Sequence, residues 1–257
     1  MATVRMIEKS LFDWAPHDMA ESWDNVGLLV GSGEREVKKI LVALDITETV
    51  VQEAIDVGAD LIVAHHPVMN CTWHKVQNVL DDNVQGRILT KLLKNDVAAI
   101  CMHTNLDAAE GGVNDCLAQK LGISDTIPLN DEKIGRVGIL SCEKGLEEFL
   151  TLVVKSLGCR GLRYRDGGKR VYRVAVGGGA CGDFIPQAIA LGCDTFVTGD
   201  LSYHEFLDTQ GLNLIDAGHF PTENIVCPAV KAYLDRSFPE TETVLSALHA
   251  DVIQYYM

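Results

Sequence analysis

The chain has 257 residues, with 36 Asp and Glu against 22 Lys and Arg, for a formal net charge of −14. That length suits one large domain or two small ones, and 47% hydrophobic with 23% charged residues is the composition of an ordinary globular protein. A surface this acidic repels polyanions, which excludes general nucleic-acid binding, while cations in a local site can still draw in one anionic substrate.

Short β-branched runs alternate with segments of helical period along the sequence. Trp23-Asp24-Asn25, ahead of Val-Gly-Leu-Leu, reads as a turn that caps the first strand. Residues 40–44 read as a buried strand, followed by a helix from Thr47 as N-cap to Val57, stopped by Gly58. Next come a strand over 61–64, a helix over 85–94, a strand over 97–102 and a helix over 113–121. The second half has strands at 137–140, 171–176, 195–198 and 212–215, with helices at 146–157, 183–191 and 223–234. Thr222 reads as the N-cap of the last helix. Such alternation predicts an α/β fold with mixed or parallel sheets.

An internal repeat sharpens this prediction. Residues 40–66 align without gaps on 174–200, with identities at Val42/Val176, Ala54/Ala188, Ile55/Ile189, Gly58/Gly192, Asp60/Asp194 and Val63/Val197. At an offset of 116, His103-Thr-Asn-Leu-Asp107 lies opposite His219-Phe-Pro-Thr-Glu223. The expectation is two similar α/β domains, one formed by 1–127 with 235–257 and the other by 128–234.

The eight cysteines form no CxxC pair, so zinc ribbons and redox motifs are excluded. With no signal-type apolar core at the N-terminus and no run of about 18 uncharged apolar residues, the expectation is a reduced, cytoplasmic protein without membrane attachment.

The chemistry-bearing residues gather at strand ends, where open α/β sheets bind ligands. His65 and His66 follow the strand over 61–64, His103 and Asp107 the strand ending at Met102, and Asp200 and His204 the strand over 195–198. His219 and Glu223 follow the strand ending near Ile215, so five of eight histidines occupy such positions. Imidazole and carboxylate without thiolate suit Zn, Mn, Fe, Co or Ni. Five ligand candidates exceed what one tetrahedral ion needs, and two ions roughly 3.5–4 Å apart would use them. Gly177-Gly178-Gly179 resembles a phosphate cradle but lacks GxxxxGK[ST], so a tight turn or close packing is the preferred reading. His74 and His249 read as ordinary surface or partly buried histidines, and His17 as a loop residue.

Trp23-Asp-Asn-x-Gly-Leu, Val63-Ala-His65-His66-Pro67, His103-Thr-Asn-Leu-Asp107, Gly199-Asp-x-x-Tyr-His204 and Gly218-His219-x-x-x-Glu223 occur in that order. Together they resemble the Nif-three-like family, whose bacterial members carry the name GTP cyclohydrolase I type 2 homolog, over almost the entire chain. The resemblance implies a dinuclear metal centre between the two domains, held by His65, His66, Asp107, His219 and Glu223, with Glu223 as the bridge. It implies that His103 and His204 stand beside the metals as orienting or proton-transfer groups, and that the chain forms a ring-shaped homohexamer. The length matches the short form, without the central insertion of some members. After Pro67 this chain departs from the family pattern, placing Val68 to Lys75 where aromatic and apolar residues usually precede a lysine. The function implied is a dinuclear-metal-dependent hydrolase acting on a nucleotide or related small molecule through metal-activated water. The alternative is a non-catalytic metal-binding or regulatory protein whose ring is an interaction platform. Between them stands whether the site keeps an exchangeable water, which a closed storage site does not.

Overall fold

The structure, a computed structural model, describes residues 1–71 and 75–256. His74, read from sequence as an ordinary histidine, lies outside the described residues. The chain runs through β1 (Ala2–Thr3), α1 (Val4–Trp14), β2 (Gly27–Val30), β3 (Glu36–Val37), β4 (Lys39–Ala43), α2 (Glu48–Asp56) and β5 (Leu61–Ala64). It continues with α3 (Val84–Lys94), β6 (Ala98–Cys101), α4 (Thr104–Ala108), α5 (Val113–Lys120), β7 (Ile123–Pro128), β8 (Arg136–Lys144) and α6 (Leu146–Leu157). Then follow β9 (Arg163–Arg165), β10 (Val171–Val176), α7 (Ile185–Ala190), β11 (Thr195–Thr198), α8 (Tyr203–Asp208) and β12 (Asn213–Asp216). The last elements are α9 (His219–Glu223), α10 (Cys227–Ser237) and β13 (Glu242–Leu245). Among the described residues, no helix is long and apolar enough to cross a membrane.

Two compact units result, one of residues 1–109 with 226–250 and the other of 110–225 with 251–257. The sequence reading divides the chain at 127/128 and 234/235. Residues ahead of 128 join the second unit because β7 pairs with β8 and α5 packs on both strands. Residues from 226 join the first because α10 packs on β13 and β4.

The first unit is built on a five-stranded sheet in the order β13-β4-β5-β6-β2. Its first four strands are parallel, and β2 runs antiparallel at the edge. Alternate residues Leu41, Ala43, Ile62, Ala64, Ala99 and Cys101 bury one face under Val50, Val51 and Ala54 of α2 and Ile88, Leu89 and Leu92 of α3. Thr47 caps α2 as the sequence predicts, its side chain accepting the Val50 N–H. The second unit has a six-stranded mixed sheet in the order β7-β8-β10-β11-β12-β9, with β10, β11 and β12 parallel. Phe149 and Val153 of α6, Leu117 of α5 and Leu121 just past its end pack with Val171, Val174 and Val197 from its strands.

The repeat is present down to hydrogen bonds. Ile40 pairs with Leu61 as Val174 pairs with Thr195, which keeps the offset of 134. Asp60 accepts the Lys38 and Lys39 N–H groups, and Asp194 accepts those of Tyr172 and Arg173, so one carboxylate starts the central strand in each unit. Pairing of the next strand, Leu61 with Ala98 and Thr195 with Asn213, sets an offset of 115. The match between His103 and His219 at 116 is therefore one residue out of structural register: His103 is the N-cap of α4, whereas His219 is the first residue of α9.

Candidate metal centre

In the first unit β5 ends at Ala64, and the backbone N–H groups of both His65 and His66 converge on the Leu44 carbonyl. This shared acceptor breaks the alternation of the strand, and the two rings lie 4.9 Å apart between centroids. His103 brings a third ring, 5.1 Å from His65 and 5.6 Å from His66. One nitrogen from each of the three lies within 4.8 Å of the others, close enough for a metal ion. Asp107 sits in α4, with Oδ1 3.7 Å from His65 Nε2.

Each ring is held from behind. His65 Nδ1–H donates to the Met102 carbonyl at 2.8 Å, and His66 Nδ1–H to Asp45 Oδ1 at 2.6 Å. His103 Nδ1–H points at both oxygens of Asp24, 2.9 Å away. Asp24 also accepts the Thr104 N–H at 3.0 Å and its hydroxyl at 2.6 Å. Trp23-Asp24-Asn25 comes off a turn ahead of β2, the Asp24 N–H on the Glu21 carbonyl, and does more than lead into that strand. It clamps the start of α4, and Asn25 Nδ2 donates to the Met69 carbonyl in the loop after the paired histidines. Burial pushes the Asp24 carboxyl up, but the hydrogen bonds and charge of His103 and the bonds from Thr104 outweigh it, holding the pKa at about 2. Burial likewise opposes ionisation of Asp45, and contacts with His249 and His66 overcome it, keeping its pKa below the ordinary range.

In the second unit the helix read over 223–234 is α10, which starts at Cys227, and His219 and Glu223 are the first and last residues of a separate short helix, α9, after Gly218. Pro221 in its first turn needs no N–H there. Thr222 is not a cap: its hydroxyl donates to the Gly218 carbonyl at 2.8 Å and accepts the Gly179 N–H at 3.0 Å. His219 Nδ1–H donates to Asp200 at 2.7 Å, and its Nε2 lies 3.0 Å from Glu223 Oε2. Burial disfavours a charged His219, yet hydrogen bonds to Asp200 and Glu223 lift its pKa to about 11. That corner of the unit therefore draws positive charge between two carboxylates. The bond to His219 also lowers the Asp200 pKa, against burial.

Of the three glycines after β10, Gly178 and Gly179 lie close against this pair. Gly177 N–H donates to Val197, Gly178 N–H to Asn114 and Gly179 N–H to Thr222, so none of these amides is offered to a phosphate. A Cβ on Gly179, which has φ +65°, would collide with Glu223 and lie 3.1 Å from His219 Nε2. Close packing is the role of the loop.

His204 is exposed near the start of α8, its ring against Tyr203. His17, read from sequence as a loop residue, is exposed beside Phe12 as the first residue of a short 3-10 helix, His17–Met19. His249 is partly buried, within its sequence reading, but it has a partner that the reading did not name. Its side chain is 6% exposed and lies against Asp45. Asp24 and Asp45 escape a search for ligands because neither belongs to a His-carboxylate spacing, although Asp45 also stands just past a strand end.

The Duf34/NIF3 (NGG1p interacting factor 3) family profile matches residues 2–252. A Clostridium perfringens protein named GTP cyclohydrolase 1 type 2 homolog is 41% identical over 220 residues, covering 82% of this chain and 83% of its own. Among solved structures, a Bacillus cereus protein related to NIF3 superposes with a TM-score of 0.91 at 26% identity over 100% of both chains. Reduced HcgD from Methanocaldococcus jannaschii superposes with a TM-score of 0.81 at 30% identity, over 95% of this chain and 97% of its own.

Proposed function

This chain belongs to the Duf34/NIF3 family, and from that premise we propose that it is a dinuclear-metal-dependent hydrolase acting on a nucleotide or related small molecule. His65, His66, Asp107, His219 and Glu223 would hold two divalent ions of the Zn, Mn, Fe, Co or Ni type. One observation carries the reading: His65, His66 and His219 each give Nδ1–H to an oxygen acceptor. This is how ligating histidines are oriented, because Nε2 then presents its lone pair to a cation. At His219, Nε2 and the Glu223 Oε2 lying 3.0 Å from it would both serve as ligand atoms.

Bound there, the ions supply Lewis acidity and a water that ionises near neutral pH. His103, fixed through Nδ1 by Asp24, turns Nε2 towards the histidine pair and moves a proton at the substrate. We assign His204, on exposed α8, the second proton-transfer role. The names of the relatives point to a guanine nucleotide, in which water would add at C8 of the ring. The reading includes a cytoplasmic, ring-shaped homohexamer without membrane or general nucleic-acid partners.

Elemental analysis of protein purified without chelator or affinity tag tests the site. The expected result is about two ions per chain, falling sharply in Glu223→Ala. His103→Ala keeps the metal and loses roughly 100-fold or more in turnover. No bound metal after incubation with any of the five ions overturns the proposal. Metal-loaded protein that hydrolyses nothing in a panel of nucleotides, phosphoesters and amides leaves the non-catalytic metal-binding reading in its place.

A further inference from the structure

The segment after β13 is pinned by a buried acid. Glu53 of α2, 7% exposed, accepts the Ser246 hydroxyl, the Ala247 N–H at 2.7 Å and the Leu248 N–H at 3.3 Å. Burying a carboxylate is costly unless its oxygens are satisfied, and here donors from a single tight turn satisfy them. The Ser246 hydroxyl also accepts the His249 N–H at 3.0 Å, closing the turn. What the turn delivers is the His249 ring. Its Nε2 accepts the Asp45 backbone N–H at 3.1 Å and lies 3.1 Å from Asp45 Oδ2. The other oxygen, Oδ1, accepts His66 Nδ1–H at 2.6 Å.

We propose that His249 is a positioning residue for the metal centre: through Asp45 it sets the orientation of the His66 ring, and Glu53 holds the strap that brings it there. The proposal rests on the reading of His66 as a metal ligand. Asp45 follows β4 on an open stretch of chain, so its carboxylate needs a second support if it is to keep one rotamer behind His66. His249 supplies that support with either ring protonation state. Without a proton Nε2 takes the backbone N–H, and with one it donates to Oδ2. Partners behind a ligating histidine typically change metal affinity by roughly 10–100-fold.

The test is titration of the metal-free full chain with Co2+, following visible absorption and stoichiometry. His249→Ala is expected to weaken one of the two Co2+ sites by roughly 10-fold or more, with an altered spectrum for that ion only, and His249→Gln to restore it. A cycle with Asp45→Asn isolates the route: the double variant should bind within about twofold of Asp45→Asn alone. Should His249→Ala fail to fold, His249→Gln and Asp45→Asn carry the comparison, since a lost Co2+ site in Asp45→Asn is then required. Wild-type Co2+ affinity in His249→Ala, or losses that multiply in the double variant, would overturn the linkage. Both Co2+ ions retained in His66→Ala would overturn the ligand reading itself.

Discussion

Asp24 collects hydrogen bonds from the His103 ring and from the backbone and hydroxyl of Thr104, and its side chain is fully buried. Its folded pKa of about 2 lies below the unfolded value of 3.8. A carboxyl depressed in the folded state adds stability above its unfolded pKa and loses it as pH falls through the folded value. Asp24 should therefore add about 2 kcal/mol above pH 4, lost between about pH 4 and 2. Denaturant unfolding of wild type and Asp24→Asn across that range checks it, and a gap independent of pH would refute the assignment. Gly179 offers a second single-residue test. Its left-handed backbone costs an L-residue about 1–2 kcal/mol, and a Cβ there would displace Glu223. Gly179→Ala should melt lower and, on the proposed ligand set, lose metal, as calorimetry and elemental analysis would read.

Within each unit the elements that carry the chemistry are short and anchored by longer neighbours. α4 and α9 have five residues each, too few to persist alone, so their positions depend on packing and on side-chain bonds such as Asp24 to Thr104 and Thr222 to Gly218. The supports are ordinary core elements. Phe149 of α6 is fully buried against β10 residues such as Val171 and Val174. Phe149→Ala should cost about 3–5 kcal/mol by leaving a cavity, whereas Thr47→Ala, which removes the cap of α2, should cost about 1 kcal/mol. Equal losses in chemical denaturation would contradict the packing described. The matched carboxylates Asp60 and Asp194 show why the repeat survives at few identical positions. Each satisfies two N–H groups at the start of a buried strand, a requirement of the βαβ unit and not of the site.

For the whole molecule, a ligand that binds only the folded chain stabilises it by mass action. At a free ion concentration 100 times the dissociation constant, the gain is about 2.7 kcal/mol per site. Metal-loaded protein should melt higher than chelator-treated protein, and Asp107→Ala in the first unit and Glu223→Ala in the second should each remove much of that increment. An unchanged melting temperature on chelation would count against resident metal.

The amino-acid sequence by itself determined the α/β alternation, the repeat at 134 and the histidines and carboxylates at the strand ends. These are local properties: hydrophobic period, cap residues and the residue just past a strand, all within a few positions of one another. Tertiary structure decided what stands behind those side chains. Asp24 reaches His103 across 79 residues, and His249 reaches Asp45 across 204. No periodicity encodes a partner so far away. The start of α9 at His219 and the closed amides of Gly177, Gly178 and Gly179 belong to the same class, because Thr222, Asn114 and Val197 become their partners only once the strands have packed. Strand ends are written in the chain, but the hydrogen bonds that aim their side chains come from segments that only folding makes neighbours.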